Sequence, residues 1–452
     1  MRLPMCLSFA LSLASAQGPV SFQNDIRPIL VRQCQGCHQP ASRQSDLSLT
    51  TYDAFKTGGR KGASFVPGSP EKSVVLSYLT GDVKPQMPFG GRPLPDEQIE
   101  LFRRWIREGA KDDAPPGAGE AVETAGPAKP TVYYAPPVIT ALAISPDGQT
   151  VAVSGYREIL LHKLEGGLVA RLPGLAERIH SLVFSPDGAT LAAVGGSPAR
   201  FGEVQIWDVA SHKQKHSLVL TTDTLFGASL SPDGAKLAFG GADKSARLVD
   251  VATGKEIRKI DHHEDWVFGT VFGIDGKRLV TLSRDRAAKL TDPATGAFIE
   301  NVNLLKEPLT AMTRHPKKDW ILIGGEERVP YLYTMDRPRA MRIADDSTLI
   351  RKFEQQDGPI LALAISPDAK RIAVGSAVGD VRIYDLETGV LAAKCSGHTG
   401  GIYTLQFHPD GSRLMTAGFD GTIRIYDVQG NLAKSFVPVT LEKAVVAQEL
   451  KP

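Results

Sequence analysis

The chain has 452 residues, 42% hydrophobic and 23% charged, with 52 basic against 50 acidic side chains. That length implies more than one domain, and that composition excludes a disordered or membrane-embedded chain. A net charge of +2 gives no global attraction to nucleic acid or acidic lipid. No nucleic-acid partner is expected, and any electrostatic preference must be local.

The first segment, "MRLPMCLSFALSLASAQG", places Arg2 before an apolar stretch and then the small-x-small site Ala14-Ser15-Ala16. This reads as a secretory signal peptide over residues 1–16, too short and wrongly flanked to anchor in a membrane. No other apolar run approaches the roughly 18 residues of a span, so no transmembrane segment is expected. The mature protein is expected to be exported, periplasmic or otherwise extracytoplasmic, in a bacterium. Of four cysteines, Cys6 leaves with the signal and Cys395 stands alone. A large exported protein with so few cysteines is not stapled by disulfides, so Cys34 and Cys37 need another use.

Residues 20–113 read as mainly helical. Phe22, Ile26, Ile29 and Leu30 fall at helical spacing, with Pro28 near the start where it is tolerated. In "PDEQIELFRRWIREGA", Asp96 is a cap or first-turn acid and Gly109 closes the helix. Ile99, Phe102, Trp105 and Ile106 share one face, which makes Trp105 a core residue. A loop-rich stretch with Gly58-Gly59, Gly62, Pro67-Gly68 and several prolines lies between them.

Within this domain runs "CQGCH", Cys34 to His38. A zinc site needs about four N or S ligands, yet no second Cys or His pair precedes residue 130. A thioredoxin-like dithiol expects a βαβ context and leaves His38 without a role. The remaining reading is covalent haem, for which Cys-x-x-Cys-His is the attachment signature. Two cysteines three apart on a helical turn can form thioethers to the two vinyl groups on one haem edge. The next residue then directs its imidazole at the iron. Met87, in "KPQMPFGGRPLP", is the only methionine between the signal peptide and Met312. It is the expected sixth ligand, since His/Met ligation is common in cytochromes c. One haem c is therefore expected, held covalently by Cys34 and Cys37, with His38 proximal and Met87 distal on the iron. Arg60, Lys61 and Arg92 flank these loops and read as solvated surface charge.

The segments "VSFQNDIRPILVRQCQGCHQP", "LSLTTYDAFKTGGRKGASFVPGSPEKSVV" and "MPFGGRPLPDEQIELFRRWIREGA" together resemble the planctomycete-type cytochrome c domain. The resemblance implies a monohaem domain commonly fused to other modules, WD40 propellers among them.

Residues 114–137 are rich in Pro, Ala and Gly without apolar periodicity and read as a linker. Seven copies of one unit follow over 138–440, beginning at Ala141, Ser181, Gly227, Gly269, Thr310, Ala362 and Thr404. Each holds an alternating strand, a turn such as "SPDG", a strand ending in small residues and a third strand such as "RIYDL". Their spacing of roughly 40–50 residues is that of a four-stranded propeller blade. Residues 441–452 form a tail.

The last copy, with Gly397-His398 and Tyr426-Asp427, resembles a WD40 repeat, and copy two carries Trp207-Asp208. The resemblance implies a buried hydrogen-bonded set of His398, Thr416, Asp420 and Tyr426, with a partial set of His263, Thr281 and Asp285. That makes His263 structural although it lies in the metal-like "HHED". Thr334 and Asp336 of copy five are only loosely placed on the pattern. "RPRAMRIADDS" lengthens the interval after copy five and is expected to project. Ring closure stays open between a fourth strand at Asn431–Val437 and the early segment "TVYYAP".

The expected fold is a small all-α cytochrome c-like domain followed by an all-β, seven-bladed WD40-type propeller. The expected function is haem binding and electron transfer with redox partner proteins, the propeller making protein contacts, with no substrate chemistry of its own. Two alternatives remain: a propeller-based oxidoreductase using the haem domain as relay, and a haem sensor in which a small ligand displaces Met87.

Overall fold

The structure, a computed structural model, describes residues 18–35, 37–39, 42–113, 132–337 and 346–442. The expected signal peptide, most of the linker, the inserted stretch 338–345 and most of the tail lie outside the described residues.

The N-terminal region builds on four short helices: α1 (Arg27–Gln33), α2 (Tyr52–Thr57), α3 (Val74–Thr80) and α4 (Asp96–Arg107). Pro28 sits in the first turn of α1, just after a π-helical turn (Phe22–Ile26) runs into that helix. Asp96 and Glu97 occupy the first turn of α4, where the helix dipole favours anions. The expected all-α character is present only coarsely. Loops join the helices, and a two-stranded pair, β1 (His38–Gln39) with β2 (Ser42–Arg43), follows the cysteine motif. Gly58 and Gly81, both at positive φ, end α2 and α3, and Gly62 and Gly68 take positive φ in turns.

The face of α4 is buried as the apolar spacing requires, with Ile99, Phe102, Trp105 and Ile106 at or below 7% exposure. Trp105 meets Phe65 at 4.8 Å and Phe22 at 5.3 Å between ring centroids, and its Nε1 donates to the Lys111 carbonyl at 3.0 Å. It is a core residue.

Residues 142–436 form seven four-stranded antiparallel sheets, each made of strands consecutive in the chain. Blade 1 runs from Leu142–Ile144 to Leu168–Pro173, and blade 7 from Ile402–Phe407 to Leu432–Phe436. Blade 7 thus supplies its own fourth strand, which settles the open question of ring closure. The earlier segment does something else: Tyr133 forms a parallel bridge with Leu441. The seam between blades 7 and 1 is held by side chains. His408 Nε2 donates to the Gly148 carbonyl at 3.1 Å, and Arg413 pairs with Glu165 at 2.9 Å.

The repeated Ser-Pro-Asp-Gly turn has a local cause. In blade 1, Ser145 Oγ donates to Asp147, Asp147 accepts the Gln149 N–H at 3.0 Å, and Ser145 Oγ accepts the Thr150 N–H at 2.9 Å. Blades 2, 3 and 6 repeat this at Ser185/Asp187, Ser231/Asp233 and Ser366/Asp368. In blade 5, His315 Nδ1 replaces the serine and accepts the Lys317 N–H at 3.0 Å. The small residues ending each second strand permit close approach. A Cβ on Gly240 would strike the Val267 carbonyl of the next blade.

Helix α1 also touches the propeller. Val31 is buried against Leu175 and Phe201, with Val219 beside them.

Candidate functional site

Helix α1 delivers the cysteine motif. The N–H groups of Cys34 and Gln35 both reach the Leu30 carbonyl at 2.9 Å. The N–H groups of Cys37 and His38 then both reach the Cys34 carbonyl at 3.2 Å. This tight turn brings Cys34, Cys37 and His38 together. Cys34 is half-buried against the domain core and Cys37 is exposed.

His38 is 8% exposed, and its Nδ1 lies 3.1 Å from the Gln44 carbonyl oxygen. A carbonyl only accepts, so Nδ1 carries the proton and Nε2 keeps the ring's lone pair, the tautomer a metal ligand requires. Burial lowers the His38 pKa, opposed by the carbonyls of Gln44 and Leu47. The Cys34 thiol is pushed up to about 12, by burial first and by neighbouring Cys37 second. An attacking thiol needs a stabilised thiolate, so Cys34 is poorly placed to be one.

Met87 lies on the loop before α4, its N–H donating to the Tyr78 carbonyl at 2.9 Å. Its half-buried side chain packs on the same hydrophobic core that Cys34 borders. The four residues singled out by sequence therefore share one small domain, three in a single turn and Met87 on the common core.

Nothing in the sequence signals what lies over the turn. Residues 44–49 cross it and bond to it repeatedly. Gln44 N–H donates to the Cys37 carbonyl at 3.1 Å, and Leu49 N–H donates to the His38 carbonyl at 2.8 Å. Gln35, 2% exposed, donates its side-chain amide to the Leu49 carbonyl at 2.6 Å. On the other side, Gly59 presses on the segment: a Cβ there would strike the Ser45 carbonyl. Arg60 N–H donates to that carbonyl at 2.8 Å, and its side chain pairs with Asp46 at 2.6 Å in solvent. Lys61 and Arg92 are exposed.

The donor chemistry fits a covalently bound haem. Two cysteines could hold the vinyl-derived carbons, the neutral His38 Nε2 is a suitable axial donor, and Met87 supplies a thioether. Among the described residues, no three His, Cys, Asp or Glu side chains converge as a metal-holding group.

On the propeller, His263 Nδ1 donates to Asp285 at 2.8 Å and Nε2 meets the Thr281 hydroxyl at 2.7 Å. His398 sits in a similar set, its Nδ1 3.1 Å from Asp420 and 2.8 Å from the Arg424 guanidinium, and its Nε2 2.8 Å from the Thr416 hydroxyl. His263 is structural, as expected. Tyr426 does not join its set: its hydroxyl donates to the Ser396 carbonyl at 2.7 Å. The phenol carries its polar atom at the tip of the ring, beyond where a tryptophan carries its N–H. Blade 2 uses a device that sequence reading missed. Buried Glu203 accepts the N–H groups of Leu175 and Ala176 at 3.0 and 2.7 Å and the Ser217 hydroxyl at 2.6 Å. Gln205 links that carboxylate to Trp207 Nε1. In blade 5, Asp336 pairs with Arg278 of blade 4 instead of completing a set of its own.

Comparison with known families agrees with both halves. Residues 34–88 match the family model for Planctomycete cytochrome C. Residues 347–385 and 389–427 match the WD domain, G-beta repeat. Among curated proteins, an uncharacterized WD repeat-containing protein of Schizosaccharomyces pombe is 33% identical over 93 residues, 20% of this chain and 14% of that protein. Another, from Synechocystis sp., is 29% identical over 100 residues, 22% of this chain and 28% of that protein. The chain thus spans under a third of the length of either relative. Its architecture is that of a segment similar to Planctomycete cytochrome C joined to a seven-bladed propeller with WD40 repeats.

Proposed function

We propose that the protein is an exported monohaem c-type cytochrome that passes single electrons to and from protein partners, with its propeller as the docking scaffold. Cys34 and Cys37 would hold the haem covalently, and His38 and Met87 would supply the ligands to its iron. The observation that carries this reading is His38: buried beside both cysteines, with Nδ1 committed to the Gln44 carbonyl. Bound haem would supply one-electron exchange between Fe(III) and Fe(II). The chain's part would be to fix the imidazole, offer the thioether and keep water from the site with the core that Cys34 and Met87 pack on. The secretory-type pattern of residues 1–16 supports the reading, because haem is attached to such motifs outside the cytoplasm.

The ligand assignment is tested by Met87→Ala in protein matured with haem. Loss of the sulfur-to-iron charge-transfer absorption is expected, with the covalent haem retained. An unchanged band would remove Met87 from the iron.

A further inference from the structure

We infer that Gln35 is a positioning residue for the haem ligand His38. It acts by strapping residues 44–49 across the attachment turn, an inference that rests on the haem reading proposed for this site. Gln35 occupies the first variable position between the two cysteines, a place where attachment chemistry asks nothing of the side chain. It is nonetheless 2% exposed, and its amide donates to the Leu49 carbonyl at 2.6 Å.

Three further bonds run between the same two segments. Leu49 N–H reaches the His38 carbonyl at 2.8 Å, Gln44 N–H reaches the Cys37 carbonyl at 3.1 Å, and His38 Nδ1 reaches the Gln44 carbonyl at 3.1 Å. Leu49 is held at both its N–H and its carbonyl, the carbonyl by Gln35. Gly59 closes the strap from behind, since any Cβ at that position would strike the Ser45 carbonyl. Gln35 thereby fixes one end of a segment whose other end presents the carbonyl that orients His38.

The chemical consequence has a sign. A hydrogen bond from Nδ1 to a carbonyl makes the imidazole a stronger donor through Nε2. A stronger donor favours Fe(III) over Fe(II), so loosening the strap raises the reduction potential. The same loosening exposes the Nδ1 proton to exchange with solvent.

The test compares holoprotein carrying Gln35→Met, which keeps length and loses the donor, with wild type and with Gln33→Ala at the exposed end of α1. Expected for Gln35→Met is about a threefold to tenfold shift of the oxidised-to-reduced ratio toward Fe(II) at fixed ambient potential, the larger figure being about 59 mV. Faster exchange of the His38 Nδ1 proton by NMR should accompany it, while Gln33→Ala matches wild type. If Gln35→Met gives no soluble protein, Gln35→Asn, one methylene short of Leu49, should show the same two changes. A holoprotein whose potential and Nδ1 exchange match wild type would overturn the positioning role. A wild type whose mass shows no haem would instead overturn the haem reading beneath it.

Discussion

The two regions of this molecule reach order by different routes. In the propeller, seven sheets repeat one solution, and each turn is closed by a serine, aspartate or histidine within a few residues of its partner. In the N-terminal region the regular elements are short, and the backbone around the cysteine motif is held by individual bonds from Gln35, Gln44 and Leu49. Redundancy stabilises the first region, whereas the second depends on single contacts and, under the proposed function, on a covalent cofactor. Damage should therefore be severe and local in the N-terminal region, and graded in the propeller.

The largest effect is expected from Cys34→Ser combined with Cys37→Ser. Covalent haem should be lost completely and the N-terminal region should become sensitive to protease, while the propeller keeps its own unfolding transition. Equal protease resistance in the variant would erase the contrast between the regions. Asp285→Ala should come next, because it leaves His263 Nδ1 buried without its acceptor. A loss of about 2–3 kcal/mol in propeller stability is expected, with haem spectra unchanged. An effect smaller than a surface substitution would show that the His–Asp pair is dispensable.

Acid should act on the propeller most strongly through two of its buried histidines. Burial, then Arg178, lowers His180 from 6.5 to about 4. Burial, then Lys318, Lys317 and Arg314, lowers His315 from 6.5 to about 4. Each is harder to protonate in the folded state, so its contribution is complete above about pH 6.5 and lost as pH falls toward 4. About 1–2 kcal/mol per histidine is expected, measured by denaturation at stepped pH. His180→Phe with His315→Asn should flatten that slope. The smallest change is a gain. Ala369 stands at φ 64 where the corresponding turn of blade 1 has Gly148 at φ 75. Ala369→Gly should stabilise by about 0.5–1 kcal/mol, and a loss would mean the turn is not strained.

This difference also explains what could be read from the chain alone. Seven blades were legible because the Ser-Pro-Asp-Gly turn and its flanking strands recur, each copy checking the others. Tyr426 misled because similarity to a tryptophan position says nothing of where a phenol ends. Glu203 was invisible because its reach to Leu175 and Ala176 crosses from blade 2 to the preceding loop. In the N-terminal region Cys34, Cys37 and His38 stood out because the attachment chemistry proposed for them would fix their spacing. Gln35 did not, because an amide between two cysteines looks like any exposed polar residue until Leu49 is seen beside it. All-α character is present only coarsely for a related reason: the core around Trp105 draws Phe55 from a short helix and Phe65 from a loop, where no periodicity marks them.

One covalent haem at Cys34 and Cys37 is what the proposed electron transfer depends on. The direct measurement is the intact mass of the full protein, expressed with haem-maturation machinery and denatured before mass spectrometry, with its reduced optical spectrum. An added mass of one haem that survives denaturation is expected, with a c-type reduced spectrum that Cys34→Ser combined with Cys37→Ser abolishes. Two free thiols at these positions and no haem absorption would contradict it.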